Sequence, residues 1–239
     1  MMHHAHGQLF LQRSTLICPD GLTSDAQKRK KQVAQMPSLC YTESTDEQRS
    51  VDMLTFEQAR ELLLTTTTEE HLLLHAMNVS AAMKGMAKHF GEDEGHWMAI
   101  GYLHDYDYEQ HPDEHLKYTS EPLLAAGVTE EEVRAILAHG YGHCTDVEPV
   151  TALEKSLYMV DELTGIIQAA ARMRPLGITD LEVSSFMKKF KDKKFAAKCN
   201  RELIRKGCEM LGMDVRDAAQ IVIDAMREYA DELHLGPKE

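Results

Sequence analysis

Downstream of residue 53 apolar residues recur at helical spacing almost throughout, and no segment alternates apolar and polar residues as a half-buried strand would. Between Glu69 and Phe90 the residues Leu72, Val79, Met83 and Met86 form one stripe, and His75 falls within it. Trp97, Ile100 and His104 share a face of the next segment, whose helical pattern runs out at Asp105-Tyr106-Asp107. Three Thr-x-x-Glu/Gln pairs mark helix starts, namely Thr55 with Gln58, Thr129 with Glu132 and Thr151 with Glu154, because each side chain of such a pair bonds the other's free amide. In the helix opened by Thr151, Leu157, Val160, Asp161 and Thr164 lie on the apolar side. Leu203, Ile204 and Leu211 lead to a stop at Gly212, and Asp214 caps a last helix carrying Ala218, Ile221, Val222, Ala225, Met226 and Tyr229. Gly91, Gly127, Gly140 and Pro175 punctuate the rest. The pattern predicts an all-α fold, a helical bundle.

With 239 residues and 43% hydrophobic content the chain can bury a sizeable core, and it reads as one domain plus an extension. Residues 1–52 carry scattered polar residues, a His3-His4-His6 cluster and a Lys28-Arg29-Lys30-Lys31 run without sustained periodicity, so they are expected to be disordered or loosely attached. Met53 directly precedes the first capping box, which suggests it as the natural start. The folded domain is then 53–239, with 179–239 supplying C-terminal helices packed on it. No apolar segment approaches the roughly 20 residues that cross a bilayer, and the N-terminus lacks a secretion signal's apolar core. A cytoplasmic protein without membrane partners is the expectation. Cys18, Cys40, Cys144, Cys199 and Cys208 are odd in number and include no CxxC pair, which argues for free thiols rather than a disulfide framework or a zinc ribbon.

A set of metal-ligand residues changes this picture. His75, the doublet His104-Asp105 and Asp161 lie on inward faces or at the ends of three successive helices. Two imidazoles and two carboxylates neutralise a divalent cation and suit borderline metals such as Mn, Fe, Co, Ni or Zn. A carboxylate on an apolar stripe also requires a partner. The conjunction points to a metal-dependent hydrolase.

The same residues carry a resemblance. The order His75, His104-Asp105, Asp161, with the runs Leu103-His104-Asp105-Tyr106-Asp107-Tyr108-Glu109 and Asp161-Glu162-Leu163-Thr164-Gly165, resembles the HD-domain superfamily from about Leu54 to the C-terminus. That resemblance implies an HD-domain helical bundle with its metal site in the core, and a phosphohydrolase acting on nucleotides or related small phosphorylated metabolites. It also implies the option of a second ion, bridged by Asp105 and held by two more histidines from between the doublet and the last Asp. His115, opening the helix that follows the doublet loop, and His139, at the end of the helix opened by Thr129, occupy those places. Some relatives use such a centre, loaded with iron, as oxygenases, so a di-iron oxygenase is the first alternative and a non-catalytic metal- or nucleotide-binding module the second.

Metal-activated water would be the nucleophile of the hydrolase, and Asp107 or Glu109, in the doublet loop, would pass a proton to or from it. The net charge of −13 argues against general nucleic-acid binding. Between Val183 and Lys206, however, nine basic residues face only Asp192 and Glu202. This segment is either a solvated basic face or a phosphate clamp built from Lys191, Lys193, Lys194 and Arg201. Spacing leaves the substrate and the oligomeric state open.

Overall fold

The computed structural model describes residues 53–238. Residues 1–52 lie outside the described residues, and with them the expectations of a loosely attached extension and of a start at Met53. The described residues are all-α, running α1 (Phe56–Leu63), α2 (Glu70–Phe90), α3 (Glu94–Leu103), a 3₁₀ turn (Pro112–Glu114), α4 (Ser120–Ala125), α5 (Glu130–Ala138), α6 (Ala152–Arg172), α7 (Val183–Lys191), α8 (Arg201–Leu211) and α9 (Val215–Glu228). Extended pairing among them is limited to one isolated bridge between Tyr141 and Thr145.

The three capping boxes form as the sequence predicts, with Thr55, Thr129 and Thr151 each accepting from the third helical amide. Gly91 and Gly212 close α2 and α8 in the left-handed conformation, where a side chain would be strained. Helix α2 is central, packing on α3, α6 and α9, while α6 packs on α2, α5 and α8. The C-terminal helices thus lie along the two longest ones. Met83, Met86, Ile100, Leu103, Leu157 and Leu163 are fully buried between them, each stabilising the fold by about 1.5–3 kcal/mol.

Two local features aim this bundle at the site. Gly101 lets α3 approach α2 closely, since a Cβ there would stand 2.8 Å from Met83 Cγ. The end of α3 is thereby drawn against the stretch of α2 that carries His75. Glu132 in turn ties three elements together: its carboxylate accepts Leu54 N–H at 2.7 Å, contacts His96 Nε2 at 3.0 Å and accepts Thr129 N–H at 2.9 Å. Burial works to raise the pKa of Glu132, but the bonds from His96, Leu54 and Thr129 outweigh it and hold the carboxyl down to about 2.

Candidate metal centre

Four elements deliver ligand-type side chains to one place. His75 comes from α2, His104 caps the C-terminus of α3 with Asp105 in the turn beyond it, His139 caps the C-terminus of α5, and Asp161 lies on α6. His115 follows the 3₁₀ turn and belongs to an extended loop, so the expectation that it opens a helix is corrected.

The ligand atoms divide into two groups that share one carboxylate. In the first, His75 Nε2 is 3.2 Å from His104 Nε2, 3.0 Å from Asp161 Oδ1 and 3.6 Å from Asp105 Oδ2, while His104 Nε2 is 3.3 Å from that Asp105 oxygen and 3.6 Å from Asp161 Oδ1. In the second, Asp105 Oδ1 is 3.2 Å from His115 Nε2 and 3.6 Å from His139 Nε2, and those two nitrogens are 3.2 Å apart. Atoms bound to one cation at about 2.1 Å stand roughly 3.0–3.4 Å apart for angles between octahedral and tetrahedral. In each group most of the separations fall in that range, and the others reach 3.6 Å.

The chemistry of the donors agrees with the spacing. His104 Nδ1 donates to Gly101 O at 2.8 Å, His139 Nδ1 to Ile136 O at 2.6 Å, and His115 Nδ1 to Asp107 Oδ1 at 2.8 Å. A proton committed to Nδ1 leaves the Nε2 lone pair of a neutral ring facing the cluster, the arrangement seen when an outer hydrogen bond orients a metal-binding imidazole. Two Nε2 atoms facing each other at 3.2 Å have no other reason to converge unless a proton or a cation lies between them.

Electrostatics point the same way. Burial would depress the fully buried His104, but Asp105 and Asp161 overcome it and push its pKa well above the usual imidazole range. Burial likewise opposes ionisation of Asp105 and Asp161, yet the imidazoles of His104, His115 and His139 hold the first far below the carboxylate range, and those of His104 and His75 the second. His115, against the pull of burial, is raised to about 9 by the carboxylates of Asp105 and Asp107. Without an ion the cluster therefore holds protons between its carboxylates, and a metal ion would have to displace them to meet the Nε2 lone pairs of neutral rings.

Two expected proton carriers are corrected. Asp107 is buried, and its carboxylate accepts from His115 Nδ1, from Leu116 N–H at 3.0 Å and from Tyr118 N–H at 3.1 Å, so both oxygens are committed to orienting His115 and its loop. That loop carries strain, because Leu116 is buried at φ 69°, a conformation costing about 1–2 kcal/mol for a residue with a side chain. It packs on Gly140, where a Cβ would meet Leu116 Cδ1. Glu109 accepts Thr68 N–H at 2.8 Å and Glu69 N–H at 3.0 Å, capping the start of α2, whose own N-cap side chain makes no bond.

The phosphate clamp is also corrected. Arg201 is buried and its guanidinium donates to the carbonyls of Phe190, Asp192, Phe195, Ala196 and Cys199, which holds the α7–α8 turn in shape. Lys191, Lys193 and Lys194 are exposed and do not line the cleft.

The cleft over the two ligand groups encloses about 470 Å³. Besides the ligands it is lined by His71, Leu72, Tyr108, His143, Cys144, Glu162, Gly165, Cys199 and Leu203. Burial, then Asp105 and Asp107, push the Cys144 thiol up, which disfavours a thiolate nucleophile beside His143. Compared with family models, curated proteins and solved structures, the chain gives no match. Among the described residues no helix is long and apolar enough to cross a membrane.

Sequence reasoning missed Glu162 and His71 as cleft residues. His71 lies one turn before His75, a spacing that could have found it. Glu162 adjoins Asp161, but only the approach of the 199–203 segment makes it part of a cleft wall. Burial raises the pKa of Glu162, an Asn200 N–H bond lowers it and the Asp161 charge raises it, with a net upward shift.

Proposed function

We propose that this chain is a metal-dependent phosphohydrolase of HD-domain type that hydrolyses a phosphate ester of a small metabolite at a centre of two divalent ions. The observation that carries the reading is Asp105, whose Oδ2 faces His75 and His104 while its Oδ1 faces His115 and His139. A single carboxylate spanning two nitrogen clusters suits a bridged pair of ions, with His75, His104 and Asp161 completing one site and His115 and His139 the other. Such ions supply a water of lowered pKa and charge that stabilises a phosphoryl transition state.

The protein's own part is orientation and exclusion. Carbonyls of Gly101 and Ile136 fix the rings of His104 and His139, and the Asp107 carboxylate fixes that of His115. His104 and His139 are closed to solvent from behind, so approach is from the cleft. Phosphate release from a panel of small phosphate esters by protein reloaded with Mn, Co or Ni, lost in Asp105→Ala, tests the proposal. A reloaded protein that binds two ions and releases no phosphate refutes it.

A second reading draws on the four imidazoles among the six ligands and on a cleft without Lys or Arg among its described lining residues, features that also suit a di-iron oxygenase. Oxygen uptake dependent on bound iron is its test.

A further inference from the structure

We propose that the cleft selects a phosphate monoester whose alcohol part bears a further hydroxyl or ammonium group, and that Glu162 recognises that group. The inference rests on the hydrolase reading and adds to it a substrate class and a specificity residue.

Charge balance sets the first half. Two divalent ions against the carboxylates of Asp105 and Asp161 would leave two positive charges, or one once a metal-bound hydroxide is counted, so the centre matches no more than one phosphate monoester dianion. A diphosphate or triphosphate brings further negative charge and requires Lys or Arg to receive it. None lines the cleft among the described residues. The lysines of the α7–α8 turn face solvent and Arg201 is bound to carbonyls. Around them the chain carries a net charge of −13, which opposes the approach of polyanions.

Glu162 sets the second half. It lines the cleft one residue from Asp161, and its one hydrogen bond among the described residues is from Asn200 N–H to Oε2 at 2.8 Å. A carboxylate accepts only, so its remaining lone pairs call for a donor. Beside it Gly165 has no side chain, which lets Cys199 Sγ close against the α6 backbone, 2.9 Å from where a Cβ would stand, and form the wall next to Glu162. Leu72 and Leu203 offer apolar contact for a short carbon skeleton. A bare anionic or purely alkyl group meets a carboxylate it cannot bond, whereas a hydroxyl or ammonium satisfies it.

The test uses metal-loaded full-length protein with glycerol 3-phosphate, ethanolamine phosphate, propyl phosphate and pyrophosphate as probes, reading kcat and KM separately. The expected order of kcat/KM places the hydroxyl or ammonium ester above propyl phosphate, and pyrophosphate last. Glu162→Gln keeps an oxygen for Asn200 N–H and removes the charge. It is expected to cut the preference for ethanolamine phosphate over propyl phosphate about tenfold or more, chiefly through KM, with metal content unchanged. If the group recognised is a hydroxyl, the glycerol phosphate preference falls in Glu162→Ala and less in Glu162→Gln. If it is an ammonium, both variants lose the ethanolamine phosphate preference. An unchanged preference in both variants, or better turnover of pyrophosphate than of any monoester, overturns this inference and leaves the hydrolase intact. Absence of turnover and of competitive binding for every phosphate probe refutes the hydrolase and this inference with it.

Discussion

Replacing Asp107 by Asn separates the two proposed ion sites. The carboxylate accepts from His115 Nδ1 and Leu116 N–H on Oδ1 and from Tyr118 N–H on Oδ2. An amide of the same shape has one acceptor, so its NH2 must face at least one of these donors whichever way it turns. If the oxygen stays toward His115, Tyr118 N–H loses its partner, at a cost of about 1–3 kcal/mol to folding. His115 also loses the charge that polarises its ring, and loss of an orienting partner of this kind weakens metal binding about tenfold to hundredfold, or roughly 1.4–2.7 kcal/mol. His75, His104 and Asp161 make no bond to Asp107, so the first site should hold its ion within about threefold, since no orienting partner of that site is lost. Calorimetric titration of metal-stripped protein with Mn²⁺ reads both steps, and thermal denaturation reads the folding cost. Equal weakening of both steps, or of neither, refutes the assignment of Asp107 to His115 and of His115 to a separate ion.

Asp105→Ala should lower the affinity for both ions by at least ~100-fold, beyond what loss of an orienting partner alone does, with far-UV circular dichroism unchanged; retention of either ion by elemental analysis contradicts a bridging role. Arg201→Met should destabilise the domain by about 2–4 kcal/mol in urea denaturation, because it strips the donors from a buried set of carbonyls. Lys193→Ala with Lys194→Ala should leave substrate binding within about twofold, as exposed charges away from a ligand contribute little. Glu132 makes stability depend on pH: its folded pKa of about 2 lies below the ordinary 4.5, so its contribution is full above pH 4.5 and lost as pH falls toward 2, up to ~3 kcal/mol at about 1.4 kcal/mol per pH unit. Glu132→Gln should therefore be less stable than the parent near pH 6, and the gap should shrink to about half by pH 3 and close only below pH 2; a gap that does not vary with pH would show that its charge is not what binds Leu54 and His96.

The sequence alone determined the all-α class, the starts of α1, α5 and α6, the stop of α8, and the residues of the candidate centre, because these depend on short-range rules. A threonine finds its glutamate three residues on, a glycine adopts the left-handed turn wherever it stands, and an inward His or Asp needs a polar partner regardless of which helix supplies it. His75, His104, Asp105 and Asp161 were legible for that reason, and His115 with His139 through a resemblance in their order. Tertiary structure decided which oxygen of Asp105 faces which histidines, since that depends on how α2, α3 and α5 cross and on where the loop carrying His115 lies. It also reversed the roles of Asp107, Glu109 and Arg201. All three are charged residues beside a candidate site in the chain, but each is drawn to the nearest unpaired backbone group: amides after His115, amides at the start of α2, and carbonyls of the α7–α8 turn. Buried backbone must be satisfied before a side chain is free for substrate, and only the fold shows where that backbone lies.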